Sequence, residues 1–242
     1  AEAFAALTGL SIVKLRNKIS LKLGFNWKHP LTLAHWRTLG TLVGCGSLPM
    51  LENLEIKGGD GGGGLSYDCI SEGVALLAAG LHRGGLPSLL MLSFSSSRIG
   101  DQAASALASA LTIRAVPALD SFHFYDTRMR GVGILALVPA LRQLPLKSLW
   151  MWGNDHIDDQ FLAALIAQPM TGVPLLESLR VLDLSQNHIT EAGCAALTAA
   201  LRSGVLPALG QVDLREDDYN EFSPAHLEIF EVHEGQRVGP LL

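Results

Sequence analysis

Residues 179–201 read LRVLDLSQNHITEAGCAALTAAL. Leu179, Leu182 and Leu184 form an L-x-x-L-x-L run, and its apolar period of two marks a short strand. Asn187 follows three residues after Leu184, at a tight bend. Ile189, Gly193, Leu197 and Leu201 then recur every four residues, which places them on one face of a helix. The unit is a strand, a turn and an amphipathic helix. None of these buries its apolar face alone, so the unit makes sense only as one of a stack of copies.

Six further copies align on the last strand leucine: Leu23, Ile56, Leu92–Phe94, Phe122–Phe124, Leu149–Met151 and Val212–Leu214. Neighbouring copies are 27 to 38 residues apart. The helical pattern recurs with them, as Leu31, His35, Leu39, Val43; Cys69, Gly73, Leu77, Leu81; Ile99, Ala103, Leu107, Leu111; and Met129, Gly133, Leu137, Leu141. It continues in Ile157, Phe161, Leu165, Pro169, and in Tyr219, Ser223, Leu227. A Leu-Pro or Val-Pro pair announces most strands, at Pro49, Pro87, Pro117, Pro145 and Pro207. Self-similarity at this period is the mark of a solenoid.

The pattern L-x-x-L-x-L-x-x-N-x-I, followed by a G-x-x-x-L-x-x-x-L helix, resembles the leucine-rich repeat of the ribonuclease-inhibitor-like subclass. The resemblance covers roughly residues 18 to 228. It implies an α/β horseshoe arc, with parallel strands on the concave face and helices on the convex face. The bend asparagine occurs at Asn26, Asn154 and Asn187; Gly59, Ser97, Thr127 and Asp217 take its place elsewhere.

The chain is read as one elongated domain, since each repeat of a solenoid touches only its neighbours. Residues 1–17 read as an N-terminal cap or partial repeat, 18–222 as about seven repeats, and 223–242 as a C-terminal capping helix and tail. The Gly58–Gly64 run reads as a mobile loop that absorbs extra length. It lacks the G-K-[ST] ending of a phosphate loop. The bend 154–159 gathers Asp155, His156, Asp158 and Asp159 without the spaced ligands of a calcium loop, and Asp158 and Asp159 suit the first turn of a helix.

At 242 residues and 48% apolar content the chain can bury a large core. A net charge of −5 carries no basic footprint for nucleic acid. No run of eighteen apolar residues is present to span a membrane. Cys45, Cys69 and Cys194 are odd in number and imply no disulfide framework. The start at Ala1 leaves the compartment open.

Strand residues that alternate with the inward leucines face outward. They are Lys22 and Gly24, Glu55 and Lys57, Ser93 and Ser95, His123 and Tyr125, Trp150 and Trp152, Asp183 and Ser185, and Asp213 and Arg215. His123, Tyr125, Trp150 and Trp152 fall on adjacent strands and form one aromatic patch. Either these rings cover one another and the sheet, or they anchor a partner, since interface hot spots are rich in Trp and Tyr. Asp183, Asp213 and Glu216 on one side, and Glu55 and Lys57 on the other, supply polar rims, and Arg215 joins Asp183, Asp213 and the four rings as a partner-binding residue. The partner expected is another protein or protein complex, with no nucleic acid, no small-molecule substrate and no cofactor.

Catalytic readings are poorer. No G-x-S-x-G, H-E-x-x-H or paired-cysteine motif occurs, and the pairs His29/His35 and His226/His233 miss the i, i+4 spacing of a helical metal site. Some proteins with this repeat activate GTPases through rim residues, and Arg98, Arg128 and Arg130 lie at bends. The readings, in order, are a non-catalytic recognition module, a structural accessory subunit of a larger assembly, and a GTPase regulator.

Overall fold

The computed structural model describes residues 20–24, 32–58, 67–127, 129–167, 176–215, 232–233 and 236–237. Among the described residues seven strands and six helices alternate: β1 (Ser20–Gly24), α1 (Leu33–Gly44), β2 (Asn53–Lys57), α2 (Tyr67–Arg83), β3 (Met91–Ser95), α3 (Asp101–Ala110), β4 (Ser121–Tyr125), α4 (Gly131–Gln143), β5 (Ser148–Trp150), α5 (Asp159–Ile166), β6 (Val181–Asp183), α6 (Glu191–Arg202) and β7 (Gln211–Asp213). The strands pair in sequence order, all parallel, in one seven-stranded sheet. A short antiparallel pair, β8 (Val232–His233) with β9 (Gln236–Arg237), lies in the stretch read as a tail. The expected α/β leucine-rich repeat solenoid is the fold observed. Strands repeat about 4.8 Å apart, whereas packed helices need 8–10 Å. The layered array therefore bends with its sheet on the inner side.

The register follows the leucine alignment. Leu21, Leu54, Leu92, Phe122, Leu149, Leu182 and Val212 form one buried row across the seven strands, and Leu23, Ile56, Phe94 and Phe124 a second. Phe94 meets Phe124 edge-on at 5.4 Å, and Phe122 stacks on Phe124 at 5.3 Å. The proline signal has a local cause. Pro49, Pro87, Pro117 and Pro207 each occupy the second position of a turn whose first carbonyl accepts from the fourth N–H, as in Leu51 to Leu48 and Leu89 to Leu86. The residues that open and close each turn are buried, so every turn ends by pointing the chain into its strand.

Beyond β3, β4, β5 and β6 the chain reverses through a left-handed residue at the same register: Ser96 (φ 47°), Asp126 (φ 44°), Gly153 (φ 70°) and Gln186 (φ 53°). The next residue is buried and polar, and together these form a ladder: Ser97, Thr127, Asn154, Asn187. Asn154 Oδ1 accepts from Thr127 N (2.9 Å) and Thr127 Oγ1 (2.6 Å). Its Nδ2 donates to the carbonyls of Phe124, Met151 and Trp152. Asn187 Oδ1 accepts from Asn154 N at 2.8 Å, and its Nδ2 donates to Met151 O and Leu184 O. Ser97 Oγ closes only on Ser95 O. Ser97 thus satisfies one backbone group of its bend, and Thr127 bonds the Asn154 side chain instead, whereas each asparagine satisfies several backbone groups.

Two helical expectations are corrected. The first apolar residue of several patterns, Ile99, Met129, Ile157 and Ile189, lies before its helix rather than on it, although each is buried. His35 is not a core residue of α1. It is half-buried, and its Nδ1 accepts from Thr32 N at the start of the helix. The buried face carries Trp36 instead, beside Leu39 and Val43. That indole lies where α2 has Gly73; a Cβ there meets Trp36 Cε2 at 2.3 Å, so the glycine makes room for the ring. The acidic bend behaves as expected: Asp158 caps α5 through Gln160 N and Phe161 N, and Asp159 reaches Thr190 N at 2.8 Å. The expected N-terminal cap, the glycine loop beyond Gly58 and the C-terminal capping helix lie outside the described residues.

Candidate interaction face

The outward positions expected from strand alternation are brought into rows by the parallel register. One row runs Lys22, Glu55, Ser93, His123, Trp150, Asp183, Asp213. The next runs Gly24, Lys57, Ser95, Tyr125 and continues toward Trp152, Ser185 and Arg215 just past the shorter strands. The four aromatic rings are contiguous. His123 lies 5.4 Å from Tyr125 and 5.9 Å from Trp150, and Tyr125 lies 5.3 Å from Trp152, all between centroids and all tilted. His123, Tyr125 and Trp150 are half-buried, whereas Trp152 keeps 36% of its surface exposed. The rings cover one another in part and leave an amphipathic surface in the middle of the sheet.

Polar groups frame this surface, but not as a uniformly wet rim. Lys22 Nζ pairs with Glu55 Oε1 at 2.8 Å. At the other end Arg215 Nε lies 2.9 and 3.0 Å from the two oxygens of Asp213. Asp183, between Trp150 and Asp213, is only 9% exposed, and Ser93 is buried at 8%; both were expected as surface residues. Asp183 Oδ1 accepts from Ser185 N (3.0 Å) and Ser185 Oγ (2.7 Å). Desolvation raises its carboxyl above the usual range, and Asp213 adds to the rise, while the Ser185 hydrogen bonds and Arg215 oppose it. Burial, and secondarily the Asp183 charge, push the Tyr125 phenol up to about 12. Burial lowers His123, opposed by Glu55.

A further outward row was missed by sequence reasoning. Asn53, Met91, Ser121, Ser148 and Val181 stand two residues before the first row and are half-buried beside it. Ser121 Oγ lies 3.3 Å from His123 Nε2. The signal was present in the same alternation, extended by one step. Of the bend arginines, Arg130 precedes α4 with its backbone N–H on Asp101 Oδ1 at 3.0 Å. Arg98 is exposed, and Arg128 lies outside the described residues. Among the described residues no group of three or more His, Cys, Asp or Glu could hold a metal ion, and no helix is long and apolar enough to cross a membrane.

A family model described as Leucine Rich repeat matches residues 176–197. The matched stretch spans the Leu176–Leu179 turn, β6, the Asn187 bend and most of α6. A search of curated proteins gave no match.

Proposed function

We propose that this leucine-rich repeat protein, of the ribonuclease-inhibitor-like subclass, is a non-catalytic recognition module that grips another protein on its sheet face. The observation that carries the reading is the aromatic cluster. A monomer gains little by placing His123, Tyr125, Trp150 and Trp152 side by side on a solvent-facing sheet, whereas Trp and Tyr are the residues on which interfaces concentrate binding energy. Leucine-rich repeats generally mediate protein–protein contact. The rigid, hydrogen-bonded frame beneath the rings favours a pre-formed site that binds without much ordering cost.

The experiment is affinity purification from the source cells with the wild-type chain and a Trp150→Ala, Trp152→Ala double variant. A partner retained by the first and lost by the second supports the reading. Identical partners on both would move recognition to another surface. A second reading, an accessory subunit docked through other surfaces, draws on apolar side chains exposed away from the aromatic patch: Val132 at 73% and Ile113 at 51%.

A further inference from the structure

The charges around the aromatic cluster are unequal in one respect. Glu55 is neutralised by Lys22, and Asp213 by Arg215. Asp183, flanked by Trp150 on one strand and Asp213 on the other, has no cation hydrogen-bonded to it among the described residues. Ser185 occupies Oδ1 alone. Oδ2 accepts no bond from a described residue. Arg215 makes its ion pair with Asp213 and acts on Asp183 through space. Lys57 lies on β2, four strands away, and at about 4.8 Å per strand it is out of reach. The surface therefore offers a carboxylate without a hydrogen-bonded cation beside Trp150 and near Tyr125, whose ring lies against Trp152.

That combination is the recognition chemistry of an organic cation. A guanidinium or ammonium group stacks on an aromatic face while its N–H groups reach a carboxylate. Resting on the recognition reading above, we infer that the partner presents an arginine- or lysine-bearing extended segment, whose cation sits over the Trp150–Trp152 rings and pairs with Asp183. Arginine fits better than lysine, because its planar fork stacks and donates at once. The incoming cation supplies the direct ion pair that the fold gives to Glu55 and Asp213, whereas Asp183 feels Arg215 only through space. Met91 and Val181, at the edge of the same surface, offer apolar contact to residues beside the cation.

The test is a peptide array of randomised decamers probed in parallel with wild type, the Trp150→Ala, Trp152→Ala variant and Asp183→Asn. The asparagine keeps an Oδ1 to accept from Ser185, and thermal unfolding verifies that it is folded. The expected result is a set of wild-type binders lost by the double tryptophan variant and enriched in Arg and Lys. Their affinity for Asp183→Asn should fall about tenfold or more, and replacing the arginine by citrulline should weaken them similarly. Tryptophan-dependent binders with no cationic enrichment, or binders indifferent to Asp183→Asn, would overturn the cation inference and leave the aromatic surface standing. No tryptophan-dependent binder at all would overturn both.

Discussion

Replacing Asn154 by alanine should cost more than any other polar substitution in the described repeats. The side chain is fully buried and takes part in five hydrogen bonds. Two of its partners keep another: Met151 O still accepts from Asn187 Nδ2 at 3.0 Å, and Trp152 O from Asp126 N at 3.2 Å. The Thr127 hydroxyl also loses its acceptor but can rotate, so the groups left stranded are Thr127 N–H and Phe124 O, which loses a donor at 2.7 Å. A buried group stranded in this way costs about 1–3 kcal/mol. Two such groups and a small cavity give about 3–5 kcal/mol, comparable to truncating a core leucine. Equilibrium urea unfolding measures the total. Because a solenoid can unfold in segments, amide hydrogen exchange at Thr127 adds a local readout and should quicken sharply. Asn154→Thr, which mimics the neighbouring rung, should cost less. A loss below about 1 kcal/mol for the alanine variant, with Thr127 exchange unchanged, would refute the ladder as the element that holds the bends.

Three further outcomes are expected. Leu182→Ala, in the inward row, should lower stability by about 2–5 kcal/mol, whereas Trp150→Ala, pointing outward on the same pair of strands, should cost much less; equal large losses in thermal unfolding would mean the strand faces are reversed. Gly73→Ala should destabilise by about 1–3 kcal/mol through displacement of the Trp36 ring, even though alanine is the better helix former by about 1 kcal/mol; a gain in melting temperature would contradict the contact. The lowered His123 means that the folded state binds a proton less readily than the unfolded chain. Stability from this group is therefore full above the unfolded value of 6.5 and declines as pH falls below it toward the lowered folded value. A His123→Phe variant should lose that part of the acid dependence in denaturant midpoints measured across this range.

Much of this architecture is legible in the sequence because leucine spacing reports burial directly. The run Leu179, Leu182, Leu184 and its six relatives locate every strand of the sheet, and alternation assigns His123, Tyr125, Trp150 and Trp152 to one face. The misses share a cause: they depend on a neighbour rather than on a period. His35 fits the four-residue spacing, but Trp36 wins the core because Gly73 on the next helix leaves room for an indole. Asp183 looks like a surface charge in an alternating strand, yet sits buried beside Trp150 and Asp213. Left-handed bends at Ser96, Asp126 and Gln186 carry no glycine to announce them; among the four, only Gly153 has the expected residue. There the stacked repeats impose a conformation that local preference does not supply.

The central claim, that a partner is held on the aromatic sheet face, is tested most directly by site-specific photo-crosslinking. A photo-reactive residue is placed at Ser95 or Ser185, either side of the rings and leaving them intact, and in a control chain at Val132 away from the patch. Recognition on the sheet face predicts a covalent adduct with the same partner from both sheet positions and none from Val132. Adducts from Val132 with none from Ser95 and Ser185 would contradict it and place the partner outside the aromatic face.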